Sequence, residues 1–302
     1  MGRSKYASFA YLKECVWRKV QRWKEKLLTQ TGREVLIKAV AQAISTYTMS
    51  CFKLPKKLCN DLEGIACNFW WGHVGEVRKV HWVKWSNLCS PKHMGGMGFR
   101  ELQKFNDALL AKQVWRFIHY QSSLFYKVFK SKFFPNFTIM ESGFSTRASF
   151  AWKNILQAYD VIRRGARWRV GNGHSIRIWG DRWLPNASGV PITLPKVLSV
   201  DACVSSLIHA PTASWNTTLI DQLLYPYDVE LVKSLVLSNR AIADKLIWSG
   251  ERSGNFSVRS AYRMMLMTNQ METPGCFDQG RWKSLWAKVW SVLAPPKVLH
   301  FL

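Results

Sequence analysis

Acidic side chains are scarce in this chain. Only 19 Asp and Glu stand against 43 Lys and Arg in 302 residues, a formal net charge of +24. The shortage is uneven: up to Pro185, 32 basic residues face 11 acidic ones, whereas from Asn186 onward 11 face eight. A self-repelling field of that size is relieved by a polyanion, so the charge points to a nucleic-acid partner, with an anionic membrane surface as the other candidate. No run of ~18 apolar residues occurs, which argues against a membrane span. Met1 to Gln21 lacks the apolar centre of a secretory signal. The expected compartment is nuclear or cytoplasmic, with mitochondrial as the alternative because a basic, acid-poor start also fits a presequence.

Closely spaced cysteines are missing as well. None of the seven stands two to four residues from another, the pairing that zinc sites use, and an odd number without a secretory signal argues for reduced thiols. Cys51, Cys59 and Cys67 recur every eight residues and read as small buried hydrophobes on one side of a helical stretch. There is no Gly-Lys-Ser/Thr phosphate loop and no Ser or Cys in a recognisable nucleophile context. His174 and Asp181 are the nearest approach to a catalytic pair.

What is present is a set of amphipathic periods and an aromatic-rich composition, including 16 Trp, ample for real cores. Leu12, Val16, Val20, Trp23 and Leu27 fall on one face of a helix over 11–28, with Lys13, Arg18, Lys19, Arg22, Lys24 and Lys26 around the other. Thr31 and Glu34 have capping-box spacing before a second helix. Pro55 opens a third, which Gly72 stops. Residues 77–85 alternate basic and apolar as in a short ribbon, and Pro91, Gly95, Gly96 and Gly98 make a tight turn. Helices follow over 101–120, 123–134 and 149–164, the last with Gly165 as a left-handed stop.

Beyond Gly165 the texture changes. Trp168-Arg-Val and Ile176-Arg-Ile-Trp179 flank Gly171-Asn-Gly173, the signature of a β-hairpin over 166–185. Residues 186–199, rich in Pro and small polar residues, read as a linker. In the last part, 245–248 and 255–258 read as two strands about a turn, followed by helices over 260–267 and 282–292. The expected class is α+β, mainly helical: a basic helical region 1–165, the hairpin, the linker, and a small mixed module over 200–302.

Several ungapped blocks in fixed order carry a family resemblance. They are Gly32-Arg-Glu-Val-Leu-Ile-Lys-Ala-Val, Phe69-Trp-Trp-Gly72, Gly95-Gly-Met-Gly-Phe-Arg100, Asn106-Asp-Ala-Leu-Leu-Ala-Lys112, Trp168-Arg-Val-Gly-Asn-Gly173 and Ile178-Trp-Gly-Asp-Arg-Trp-Leu-Pro185. Together they resemble the region after the polymerase core, thumb and connection, in plant LINE-type (non-LTR) retrotransposon reverse transcriptases. Ile247-Trp248, Ser253-Gly-Asn-Phe-Ser-Val-Arg-Ser-Ala-Tyr262 and Pro295-Pro-Lys297 are similar to the start of the zinc-binding domain that closes such enzymes, so 245–302 is assigned to that module. The resemblance implies an RNA-directed DNA polymerase whose paired aspartates hold Mg²⁺; this chain has no Asp-Asp pair. It also implies zinc in the intact terminal domain, with ligands expected beyond Leu302. The expectation is therefore a non-catalytic fragment whose partners are RNA, DNA or an RNA–DNA hybrid and the missing polymerase core, with no cofactor of its own. A decayed retroelement reading frame with no selected function is the alternative.

The residues expected at the polynucleotide are Lys19, Arg22, Lys24, Lys26, Arg33 and Lys38 on the first helices, and Arg78, Lys79 and Lys84 among His81, Trp82 and Trp85. Lys92 and Arg100 flank the glycine turn, whose N–H groups and following helix offer a cradle for a phosphate. Arg163, Arg164 and Arg167 form the densest basic cluster. Each has a plain alternative: a solvated helix face, a buried Trp with cations outside it, a tight turn, or cations that suit a helix C-terminus.

Overall fold

The computed structural model describes residues 4–24, 26, 28–72, 80–136, 139, 149–185, 190, 198–199, 201–209, 212–238, 242–271 and 279–294. Helices account for 61% and strands for 6% of the described residues, so the class is α+β and mainly helical. Two compact units are formed, one from Met1–Val161 with Ala261–Leu302, the other from Ile162–Ser260. Among the described residues no helix is long and apolar enough to cross a membrane.

The first unit is built by helices whose apolar stripes match the 3.6-residue period. Helix α1 (Lys5–Lys24) buries Phe9, Leu12, Val16 and Val20. Its neighbour after two bends is reached through α2 (Gln30–Leu36), a π-helical turn (Ile37–Ala41), α3 (Gln42–Ile44) and α4 (Thr46–Cys51). The long α5 (Lys56–Trp70) then runs alongside α1 in the same direction. Tyr6 donates to Asp61 near the start of both helices, and Trp23 packs 5.6 Å from Phe69 near their ends. The chain continues through α6 (Trp85–Leu88) and a 3-10 turn (Lys92–Met94) into α7 (Leu102–His119), α8 (Leu124–Phe133) and α9 (Phe150–Gly165). Phe117, Phe134 and Trp152, all fully buried, form an aromatic centre joining α7 to α9. Asn106 of α7 is 1% exposed and satisfies three backbone groups: it accepts from Leu54 N–H at 2.8 Å and donates to the carbonyls of Met49 (2.7 Å) and Phe52 (3.0 Å). It thereby closes the open end of α4, where unsatisfied carbonyls would otherwise be buried.

Three local expectations fail here. The cap of α2 is Thr29, which accepts from Gly32 N–H at 3.2 Å, rather than Thr31, because Glu34 is drawn away to two lysines instead of folding back on the helix start. Residues 80–84 are not strand, and 73–79 lie outside the described residues. Gly165 is not left-handed; α9 passes through it directly into a strand.

In the second unit β1 (Ala166–Arg169) does not form the expected hairpin with 176–179. Its partner is the distant β4 (Lys245–Trp248), antiparallel, with Ala166 opposite Trp248. The reason lies in the Gly171-Asn-Gly173 loop. The N–H groups of Gly171, Gly173 and Ser175 donate to the Asp244 carboxylate at 2.7, 2.9 and 2.9 Å, so they are aimed at one anion and not at a strand ladder. A Cβ at Gly171 would collide with the Ile242 carbonyl oxygen, which makes glycine obligatory at that approach. Segment 173–178 instead exchanges backbone hydrogen bonds with 202–205. The short pair β2 (Ile208–His209) and β3 (Ser214–Trp215), then α10 (Thr217–Leu223) and α11 (Pro226–Lys233), close a core of Ile176, Ile178, Trp183, Val204, Leu207 and Val232. The linker expected over 186–199 falls almost wholly outside the described residues.

The expected strand over 255–258 is also absent. Residues 255–257 are irregular and α12 (Val258–Met271) starts at Val258, because Ser257 and Ser260 use their hydroxyls to bind Glu251, each other and the Trp248 indole N–H. Helix α13 (Gln279–Ser291) completes the first unit.

Candidate nucleic-acid interface

On α1 the sequence places six basic residues and one acid, Glu14. With the apolar stripe turned inward, Arg18, Lys19 and Arg22 are exposed. Glu14 pairs with Arg18 at 3.3 Å. Among the described residues, Lys19, Arg22 and Lys26 have no acidic partner. Lys24 lies 5.5 Å from the ring of Trp17, itself 45% exposed, an arrangement that leaves both cation and indole at the surface. This face offers exposed positive charge with an aromatic beside it.

The glycine turn is different. Lys38 and Lys92 meet on one carboxylate, Glu34, at 2.5 and 3.0 Å, and Glu34 is only 9% exposed there. Burial opposes ionisation of Glu34, but the two ammonium groups outweigh it and hold the carboxyl below its ordinary range. Lys38 also sits over Phe99, and Lys92 lies 4.1 Å from the Trp290 ring. The N–H groups of Met94, Gly95, Gly96, Met97, Gly98 and Phe99 all donate to carbonyls within 88–92, so none is left to cradle a phosphate. A Cβ at Gly96 would strike the Ser90 carbonyl, which explains the glycine without any ligand.

The start of α7 is likewise occupied. Leu102 N–H donates to Glu63 at 2.6 Å, and Glu101 N–H donates to the Tyr262 hydroxyl at 2.8 Å. The anion at this helix N-terminus is the protein's own carboxylate, which is where a phosphate would have to sit. Burial pushes the Glu63 carboxyl up to about 7, against the Leu102 N–H, which favours the charged form. The N–H groups of 94–99, 101 and 102 thus answer to the protein's own acceptors rather than to a phosphate.

The other expected residues are scattered. Arg33 is half-buried and donates to the Trp70 carbonyl at 3.4 Å. Arg100 is half-buried with its guanidinium 4.5 Å from the Phe105 ring. Lys84 is exposed at the start of α6, while Arg78 and Lys79 lie outside the described residues. Arg163 and Arg164 are exposed at the end of α9, and Arg182 donates to both of their carbonyls. Arg167 lies half-buried on β1 opposite Ile247. These three belong to the second unit and Lys19, Arg22 and Lys24 to the first. His174 and Asp181 do not form a pair: Asp181 accepts from Arg177 at 2.8 and 3.3 Å.

Sequence reasoning passed over α8. It carries Lys127, Lys130 and Lys132 with no acid, Lys127 and Lys132 being exposed, and Arg116 of α7 lies 5.2 Å from the ring of Phe125. The signal was present as an acid-free helix. Among the described residues no three His, Cys, Asp or Glu gather closely enough to hold a metal ion.

No known family profile matches the chain. A protein of Arabidopsis thaliana named "Putative ribonuclease H protein" is 32% identical over 310 residues, an alignment that takes in 98% of this chain and 47% of the relative. The chain thus spans about half the length of that relative. An uncharacterized mitochondrial protein of the same plant is 40% identical over 150 residues, which is 49% of this chain and 97% of the relative. With nearly all of that second protein matched at this identity, the chain belongs to the family of the uncharacterized mitochondrial protein of Arabidopsis thaliana.

Proposed function

We propose that the chain is a nucleic-acid-binding segment of a plant retroelement reverse transcriptase, the thumb and connection region, which holds a template–primer by its phosphates while catalysis and zinc binding reside in other parts of the enzyme. Its two relatives, one named for ribonuclease H and one a mitochondrial protein, are typical of retroelement-derived plant reading frames, which supports the coarser half of this reading. The finer half rests on the acid-poor exposed face of α1. Charge held at the surface that meets no acid among the described residues is charge available to a polyanion.

The mechanism is electrostatic. Each phosphate neutralised by Lys or Arg releases condensed counterions, so affinity depends on salt and is indifferent to base sequence. The test is a salt titration of binding to duplex DNA, RNA and an RNA–DNA hybrid. Log affinity is expected to fall with log salt at about −0.9 per phosphate neutralised, alike for unrelated sequences. A flat response would overturn the reading.

A further inference from the structure

His81, Trp82 and Trp85 look equivalent in the sequence, but the fold treats them differently. His81 is held at one end, its ring stacked 6.0 Å from Trp71 and its Nδ1 3.8 Å from the Cys67 sulfur. Trp85 is held at the other, stacked 4.9 Å from the buried Phe99 with the rings 8° apart. The Lys84 carbonyl accepts from Asn87 and Leu88, fixing the start of α6. Between these anchors Trp82 stands 80% exposed, with exposed Lys84 two residues on. A large indole held in water by a segment pinned on both sides contributes little to folding and has a whole ring face available.

We infer that Trp82 is a stacking platform for an unpaired nucleobase, with Lys84 meeting the adjoining phosphate. The ligand class is a single strand or the single-stranded arm of a junction, since bases within a duplex have no free face to offer. The inference rests on the nucleic-acid reading above and deepens it. A base is favoured over an apolar protein partner because the exposed ring lies two residues from an exposed lysine in a region whose surplus positive charge complements phosphate.

The test uses the full chain, wild type, Trp82→Ala and Trp82→Phe, with short oligonucleotides supplied as single strands and as blunt duplexes over a range of salt. Trp82→Ala is expected to weaken single-strand binding about ten-fold, with the salt slope unchanged because stacking releases no counterions, and Trp82→Phe to keep most of the affinity. Blunt-duplex binding should not move. Unchanged thermal unfolding of Trp82→Ala, expected for so exposed a side chain, shows that the fold is intact. If salt-dependent binding persists but Trp82→Ala leaves single-strand affinity unchanged, or weakens duplex equally, the stacking inference falls and the function stands. If the wild type binds nothing in a salt-dependent way, the functional reading itself has failed.

Discussion

The outer face of α1 and the glycine turn carry similar charge in the sequence and opposite fates in the structure. On α1 the lone acid sits at the surface with one arginine, so Lys19 and Arg22 face solvent. At the turn a single buried acid, Glu34, holds Lys38 and Lys92, and a second, Glu63, fills the helix N-terminus that a phosphate would need. Counting cations does not separate the two regions. The position of the few acids does, because an acid that reaches a lysine from inside the fold removes it from the surface field.

The largest way to break this contrast is Glu34→Ala. It leaves two ammonium groups facing each other without their carboxylate, and the expected loss is about 2–3 kcal/mol, at or below the ~3–5 kcal/mol of a fully buried pair because each lysine is about one-third exposed. Calorimetry should show a fall in Tm of roughly 5–10 °C for a unit of this size. A variant as stable as wild type would mean that Glu34 does not hold the lysines.

A smaller effect separates the two acids by pH. The Glu34 carboxyl is held below its ordinary value, so its contribution is present above about pH 4.5 and lost as pH falls through the folded value. Glu63 has the opposite sign. Its folded value of about 7 lies above the ordinary one, so it favours the fold below its unfolded pKa, and that advantage is lost as pH rises to about 7. Glu63→Gln keeps an acceptor for Leu102 N–H and removes the charge. Its stability should therefore decline less than that of wild type between pH 5 and 8 in denaturant titrations; parallel curves would contradict the assignment. Smallest of all, Lys38→Gln with Lys92→Gln should leave the salt slope of nucleic-acid binding within about 0.5 of wild type, since Glu34 holds both cations.

Helices α1, α5, α7 and α9 were legible in the sequence because each buries a stripe at helical spacing, and α8 because its half-buried Phe125, Phe129 and Phe133 pack on Phe117 and Trp152 at that spacing; the pattern is local. The hairpin was misread for a reason of range. Gly171-Asn-Gly173 has the composition of a two-strand turn, yet its N–H groups answer to Asp244, 71 and 73 residues away from Gly173 and Gly171, and no local pattern encodes that anion. The same limit governs the site. Lys19 and Arg22 were readable as exposed because their helix face is set by its own stripe, whereas the engagement of Lys92 depends on Glu34 from another helix. Trp82 and Trp85 differ only in that Phe99 waits for one of them.

The most direct measurement compares wild type with Lys19→Gln, Arg22→Gln, Lys24→Gln and Lys26→Gln combined, titrating duplex affinity against salt. The account predicts that the slope shrinks by up to about 3.6, at about 0.9 per cation, with thermal unfolding little changed. A combined variant whose slope matches wild type would show that the α1 face does not touch the phosphates.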